Sequence, residues 1–92
     1  MIRIKEKFLG WLEFEKGRSE KTISAYNFEL IRFIDYLKSQ KINSLEKIEK
    51  KHIRNFFTFL SKTNGKQGRA RALSSIKSFF KYLVRENFLQ SL

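Results

Sequence analysis

The sequence predicts an all-α fold, a four-helix bundle built from two antiparallel helical hairpins. Apolar residues recur at intervals of three and four, the spacing of one face of a helix, and strict alternation of the strand type hardly occurs. The 92 residues contain no proline, and the four glycines stand at positions 10, 17, 65 and 68, where two places are typical of breaks. Because the connections between the helices are short, consecutive helices should lie antiparallel.

The first hairpin is predicted from helices over residues 2–16 and 19–38. Gly17 should end the first helix, because glycine readily adopts the left-handed conformation needed there. Ser19 is the candidate N-cap of the second helix. The apolar residues expected in the core are Ile4, Phe8, Trp11 and Leu12 on the first helix and Ile23, Tyr26, Leu30, Phe33, Ile34 and Leu37 on the second.

The second hairpin is predicted from helices over residues 50–62 and 68–86, joined by a loop that contains the turn pair Asn64-Gly65. Before it, residues 43–46 (Asn-Ser-Leu-Glu) have the form of a capping box and predict a short helical turn. Asn87 should close the last helix, with Phe88 and Leu89 folding back. The apolar residues expected in the core are Leu45 and Ile48 on the turn, Ile53, Phe56, Phe57 and Leu60 on the third helix, and Leu73, Ile76, Phe79, Phe80 and Leu83 on the fourth.

Composition predicts one folded domain, residues 1–92. A 41% hydrophobic and 15% aromatic content can form a core and is unlike that of disordered chains. The absence of cysteine excludes a disulfide scaffold and a thiolate zinc site, and with a single histidine we predict no metal and no cofactor. No apolar run approaches the length of a membrane span, and the N-terminus does not resemble a signal peptide. We therefore expect a cytoplasmic protein.

The positive charge is concentrated in the second half of the sequence. Lys and Arg number 20 against nine Asp and Glu, a formal net charge of +11. Residues 1–49 carry a net charge of +2 and residues 50–92 a net charge of +9, with no acidic residue between Lys50 and Arg85. Self-repulsion on this scale favours a polyanionic partner over a merely solubilising surface, which usually mixes both signs.

A polar stripe on the outer face of the fourth helix is the main candidate binding surface. Its members recur at intervals of 3, 4, 3 and 4 and are Arg71, Ser74, Ser78, Lys81 and Arg85, flanked by Ser75 and Lys77. Hydroxyl groups between cations let a helix lie close to a phosphate backbone. An ordinary solvated face would carry acidic residues for i, i+4 pairs, and this stripe has none before Glu86. The stripe therefore favours nucleic acid.

The start of the second helix is a further candidate, because the free amides of a helix N-terminus attract phosphate. The cluster there consists of Lys16, Arg18, Lys21, Thr22 and Ser24. Simple capping explains the cluster equally well.

Three segments carry a resemblance to a known family. They are Phe8-x-x-Trp11-Leu12-x-x-Glu15-x-Gly17-x-Ser19-x-x-Thr22-x-x-Ala25-Tyr26 with Leu30-x-x-Phe33-x-x-Tyr36-Leu37, then Ile53-Arg54-Asn55-Phe56-x-x-x-Leu60, and finally residues 71–87 from Arg71-Ala72-Leu73 to Arg85-Glu86-Asn87. In this order and spacing they resemble the opening of a tyrosine recombinase of the phage-integrase and Xer type. The resemblance covers about residues 3–89.

The resemblance implies a core-binding domain, a SAM-like four-helix unit that forms one half of a C-shaped clamp around duplex DNA. Carried over by position, the implied DNA contacts are Lys21, Thr22 and Tyr26 on the second helix and Arg69, Arg71, Ser74, Lys77 and Lys81 on the fourth, and the polar stripe adds Ser78. Tyr26 also stands in the apolar seam, which favours a core role. The sequence departs from the family at residues 48–51, where Ile-Glu-Lys-Lys stands in place of a Thr or Asn cap.

The catalytic residues of that family are not matched. Such recombinases use a tyrosine nucleophile with two arginines, a lysine and a His-x-x-Arg pair, because several donors must surround the phosphate in the transition state. His52-Ile53-Arg54 has the wrong spacing, and half-burial explains Tyr36 and Tyr82. We expect His52 to be exposed and able to touch a phosphate. The chain is therefore predicted to be non-catalytic, with the catalytic domain absent from it.

Two function classes follow from the sequence. The first is a double-stranded DNA-binding domain that positions a recombinase and has no small-molecule substrate. We expect this domain to be a monomer alone and the full-length recombinase to form a tetramer on DNA. The second is a basic helical module that binds an acidic protein. A membrane-surface binder is disfavoured, because the apolar stripes are needed for the core.

Overall fold

The computed structural model describes residues 1–63 and 65–90 and contains four α-helices and no strand within them. The helices are α1 (Ile2–Phe14), α2 (Glu20–Ser39), α3 (Lys50–Thr63) and α4 (Lys66–Arg85), and a 3₁₀ turn (Leu45–Lys47) precedes α3. The predicted all-α class is thus confirmed. Helix α4 packs against α2 on one side and α3 on the other, and α1 packs mainly on α2. The unit measures 35 × 29 × 18 Å.

Two clusters of aromatic rings form the core. In the first, Phe8 of α1 lies 5.4 Å from Phe79 and 5.3 Å from Tyr82, measured between ring centroids. In the second, Phe33 of α2 lies 5.1 Å from Phe56 and 6.1 Å from Phe80. Tilted and edge-to-face ring pairs at these distances add to the free energy of area burial. Both clusters include residues of α4, which therefore holds the two hairpins together.

The predicted boundary between the first two helices is confirmed. Gly17 has φ +61°, and the backbone N–H of Arg18 donates to the Leu12 carbonyl at 3.0 Å. The Ser19 side chain accepts from the backbone N–H of Thr22 at 3.2 Å, so Ser19 is the N-cap of α2. Helix α1 ends at Phe14, two residues before the predicted end.

The ends of α2 and α4 share one backbone motif. Asn87 has φ +63°, and the backbone N–H of Phe88 donates to the Leu83 carbonyl at 2.8 Å, which confirms that Asn87 closes α4 and that the chain folds back. At the end of α2, Lys41 also has φ +63°, and Ile42 donates to the Leu37 carbonyl at 2.9 Å. Both are Schellman motifs, in which a left-handed residue usually is Gly or Asn.

Helix α4 begins earlier than predicted. Gly65 is its N-cap, and the Gly65 carbonyl accepts from the backbone N–H of Arg69 at 3.1 Å, so Gly68 lies inside the first turn. Asn64 of the predicted Asn-Gly turn lies outside the described residues. The predicted turn before α3 is confirmed with Leu45 and Ile48 buried, but the capping box is wrong: Ser44 precedes the turn, and its side chain makes no capping hydrogen bond.

The predicted core is confirmed in most positions and wrong in one. Leu73 was expected to face inward but is 40% exposed, because it lines the open groove between α3 and α4 and is not covered by α3. Ala72 and Ser75, one and two positions away, are buried against the rest of the bundle instead. The remaining expected core residues are half-buried or buried, the half-buried ones being Ile4, Trp11, Ile23, Tyr26, Ile53 and Phe57.

His52 supports the start of α3 rather than standing free. The backbone N–H of Glu49 donates to His52 Nδ1 at 2.8 Å, so the imidazole has the role of the N3 side chain in a capping box, accepting from the residue just before the helix. The side chain is half-buried, so the expectation of an exposed histidine is wrong. Nδ1 acts as an acceptor only while it carries no proton.

Within the described ranges, no helix is both long and apolar enough to cross a membrane.

Candidate nucleic-acid interface

A groove between α2 and α4, called the α2–α4 groove below, has a volume of about 670 Å³ and brings together residues from the two predicted sites. Its polar and charged lining residues are Lys21, Thr22, Ser24, Glu29 and Arg32 on α2 and Arg71, Ser74 and Ser75 on α4. Cations and hydroxyls from two helices therefore face one depression. Such a set can bind phosphate oxygens by charge and by hydrogen-bond donation at the same time.

Tyr26 connects this groove to a second basic depression beside α1. Tyr26 borders both depressions, and Ser78 and Lys81 line the second one together with Lys16, Arg18 and Arg85. The Tyr26 ring lies 5.9 Å from that of Phe8, edge to face, so Tyr26 is both a core residue and a surface residue. The two depressions together make one continuous basic face of α2 and α4, called the α2–α4 face below.

Trp11 forms the floor of the second depression. The Nζ of Lys16 lies 5.3 Å and the guanidinium carbon of Arg85 lies 5.4 Å from its ring. The ring also packs against that of Tyr82 at 5.2 Å. The indole therefore attracts two cations to the end of the α2–α4 face.

Two of the nine predicted contact residues lie elsewhere. Arg69 borders a depression with Phe57 and Leu73, and Lys77 lines a groove between α3 and α4. The helical period explains the separation, because Lys77 lies about 60° from Ser74 and about 100° from Ser78 around the axis of α4. The other seven, which are Lys21, Thr22, Tyr26, Arg71, Ser74, Ser78 and Lys81, line the α2–α4 face.

Glu29 places a carboxylate in the α2–α4 groove. It is buried, and its Oε1 lies 3.7 Å from Nη1 of Arg32 while accepting no hydrogen bond from any described residue. Burial raises the pKa of the Glu29 carboxyl, and the positive charges of Arg32 and Arg71 act in the opposite direction. The carboxylate thus offsets the repulsion between two guanidinium groups that line the same groove.

Sequence reasoning missed Glu29 and Arg32. Both belong to a stripe at intervals of three and four on α2, which runs Thr22, Ala25, Glu29 and Arg32 and is visible in the sequence. Thr22 was already a candidate contact, so following the helical spacing from Thr22 would have led to Glu29 and Arg32. The prediction for this helix ended at Tyr26, whereas the groove continues to Arg32 and extends over three turns of α2.

The tyrosines are held in ring packing. Tyr82 is buried, and burial together with the nearby Glu86 carboxylate raises the pKa of its hydroxyl, which disfavours the phenolate form. The Tyr36 ring packs 5.2 Å from Phe56 and 5.3 Å from Phe59. In residues 1–63 and 65–90, no group of three or more acidic or histidine side chains is arranged to hold a metal ion. The arrangement is suited to binding anions.

Comparison with known proteins found related chains of greater length. The tyrosine recombinase XerC of Myxococcus xanthus is 43% identical over 84 residues, which is 91% of this chain and 28% of the relative. The XerC of Leptospira interrogans is 33% identical over 88 residues, 94% of this chain and 28% of the relative. The tyrosine recombinase XerD of Staphylococcus epidermidis is 33% identical over 89 residues, 96% of this chain and 30% of the relative.

The chain therefore spans less than a third of the length of these relatives. No solved structure matches it. The family described as the phage integrase N-terminal SAM-like domain matches residues 6–87, nearly the whole chain. The resemblance expected from the sequence motifs is confirmed, and the chain belongs to the phage integrase N-terminal SAM-like domain family.

Proposed function

We propose that the chain is a non-catalytic duplex-DNA-binding domain that positions a site-specific tyrosine recombinase on its target. The observation that carries the proposal is the α2–α4 groove, where Lys21 and Thr22 face the same depression as Arg71 and Ser74. Cations supply charge and hydroxyls donate hydrogen bonds to phosphate oxygens, so both kinds of contact are available in this one depression. The relatives are tyrosine recombinases XerC and XerD, and site-specific recombination is the reaction in which such binding would serve.

The positive charge of the α2–α4 face supports binding to the phosphate backbone of DNA rather than to the edges of its bases. The α2–α4 face carries six cations in its two depressions besides Arg32, and the buried Glu29 is its acidic lining residue. Phosphate contacts fix the register of a protein on DNA without reading sequence. We therefore expect weakly selective binding, with a dissociation constant of about 10⁻⁴–10⁻⁶ M at physiological salt.

The same proposal covers assembly and location. The isolated domain is a monomer. In a full-length recombinase it forms one half of a clamp around DNA, and the rest of that protein supplies the other half and the catalytic groups. The domain acts in the cytoplasm, where the DNA is. Sedimentation of the chain at micromolar concentration should give a monomer. A stable dimer would contradict this part of the proposal.

The test is a salt titration of duplex binding, followed by the fluorescence anisotropy of a labelled 20-base-pair duplex. Each phosphate contact contributes about 0.9 to the slope of log affinity against log salt. Arg71→Ala and Lys81→Ala should each flatten that slope by about one and weaken binding roughly fivefold at 0.15 M salt.

Two lysine variants serve as matched controls. Lys38→Ala, near the far end of α2, and Lys77→Ala, on the α3 side of α4, remove the same charge outside the α2–α4 face. Both should leave the slope nearly unchanged. Equal losses for Lys38→Ala and Arg71→Ala would mean that only net charge matters, and the proposed face would then be wrong.

A further inference from the structure

The groove between α3 and α4, called the α3–α4 groove below, has a different composition. It has a volume of about 760 Å³, and its floor is apolar, formed by Ile53 of α3 and by Leu73, Ile76, Phe80 and Val84 of α4. Leu73 is 40% and Val84 is 39% exposed, although both belong to the most central helix of the bundle. Apolar side chains that line a concave surface together mark an interaction site more often than scattered ones do.

The edges of the α3–α4 groove are positively charged. Its charged lining residues are Lys50, Lys77, Lys81 and Arg85, and none of the acidic side chains that the structure describes lines it. Arg85 lies over Trp11 and therefore belongs mainly to the opposite side of α4. Lys50 and Lys77 do not line the α2–α4 face at all, so the α3–α4 groove has cations of its own.

The dimensions of the floor suit a helix. From Leu73 to Val84 the floor follows α4 over about 16 Å, which is three helical turns. An amphipathic helix binds such a groove with apolar side chains at intervals of three and four. The cations at the edges favour a partner helix with acidic residues on its polar face, because complementary charges at the rim of an interface favour the correct partner and its orientation.

We propose that the α3–α4 groove binds an acidic amphipathic helix of a partner protein, with apolar residues of the partner on Leu73 and Val84 and its carboxylates toward Lys50 and Lys77. A DNA backbone fits this surface poorly. It would place phosphates over an apolar floor where only the rim offers hydrogen-bond donors, whereas the α2–α4 groove offers Thr22, Ser24 and Ser74.

The test uses a defined probe, a fluorescein-labelled 18-residue peptide with leucine at intervals of three and four and glutamate on the remaining face. A peptide of the same composition in scrambled order is the first control. Anisotropy should show binding of the amphipathic peptide and at least tenfold weaker binding of the scrambled one. Equal binding of the two peptides would overturn the proposal, because charge alone would then explain it.

Leu73→Asp tests the floor, and Ile31→Asp is its matched control. Ile31 is 42% exposed on α2, so the two substitutions place the same charge at similarly exposed apolar positions. Leu73→Asp should weaken peptide binding at least tenfold, and Ile31→Asp less than twofold. Amide chemical-shift mapping on the unaltered chain gives an independent readout, with the largest changes expected near Leu73 and Val84.

Three outcomes would identify another occupant and overturn the proposal. The first is equal loss of duplex and peptide affinity in Leu73→Asp, which would make the groove part of a DNA-binding surface. The second is self-association of the unaltered chain that Leu73→Asp abolishes, which would make the occupant a second copy. The third is chemical-shift changes confined to Thr22 and Ser74, which would place the peptide in the α2–α4 groove.

Discussion

The two sides of α4 differ in what they expose, although one helix builds both. On the α2 side, Arg71 and Ser74 line a groove with hydroxyls, cations and one buried carboxylate. On the α3 side, Leu73 and Val84 form an apolar floor with cations at its edges. The difference arises from the partner helix, because a residue one position along α4 is rotated by about 100° and meets a different neighbour. A basic helix therefore does not make a single basic surface.

The largest expected effect is on the core that both sides share. Phe8→Ala should lower the free energy of unfolding by about 3–5 kcal/mol, because Phe8 is fully buried against Trp11, Tyr26, Phe79 and Tyr82. Urea titration at 25 °C measures this value. Duplex and peptide binding should then decline together, in proportion to the unfolded fraction.

The matched control is Phe14→Ala on the same helix. Phe14 is 81% exposed, so this change should stay within about 0.5 kcal/mol. Similar unfolding midpoints for the two variants would contradict the packing described for α1.

The next largest effect is expected from substitutions at the neighbouring residues Ser74 and Leu73, which test the two sides of α4 separately. Ser74→Asp should weaken duplex binding about fivefold to tenfold, because it places a negative charge in the α2–α4 groove, and should leave peptide binding nearly unchanged. Leu73→Asp should do the reverse. Anisotropy titrations of both variants with both probes measure the four affinities, and the same loss in all four would show that the two sides are not distinct.

A smaller effect is expected in the pH dependence of Glu29→Gln. Since burial raises the pKa of Glu29 in the folded chain, the stabilisation by this group is fully present below the ordinary carboxyl pKa and is lost as pH rises through the raised value. The unfolding free energy of the unaltered chain minus that of Glu29→Gln should therefore fall as pH rises above the ordinary carboxyl pKa.

Denaturant titrations at a series of pH values measure this difference. A difference that stays constant or rises with pH would contradict the assigned direction of the pKa. Because Glu29 lines only the α2–α4 groove, Glu29→Gln should also strengthen duplex binding and leave peptide binding unchanged.

The smallest effect concerns a residue outside both grooves. Lys41 has φ +63°, a conformation that is unfavourable for a residue with a Cβ, so Lys41→Gly should raise the free energy of unfolding by about 0.5–1 kcal/mol. Thermal melting measures the gain, and Lys41→Ala is the control because it removes the charge and keeps the strain. Neither variant should change the ratio of duplex to peptide affinity.

The helices could be predicted from the sequence because the spacing of their apolar residues and the capping residues at their ends indicate the same boundaries. Ser19, Gly17 and Asn87 take the positions that capping chemistry assigns to them. The start of α4 could not be fixed, because Gly65 and Gly68 are both acceptable at a helix start and only the hydrogen bond from Arg69 to Gly65 decides between them.

The candidate site could be predicted only in part. Helical spacing brought Arg71, Ser74 and Ser78 together, and the structure keeps them on one side. Spacing could not assign Lys77 or Leu73, which lie between the polar and the buried faces of α4. Their surroundings depend on how close α3 packs, which is a property of tertiary structure and not of the α4 sequence.

The position of Trp11 makes binding directly observable. It is the single tryptophan of the chain, and the two cations over its ring, Lys16 and Arg85, line the basic depression beside α1. A phosphate that draws either cation away would alter the electric field at the indole, and with it the wavelength and intensity of emission. An unlabelled chain thus reports occupancy of the α2–α4 face through its own fluorescence.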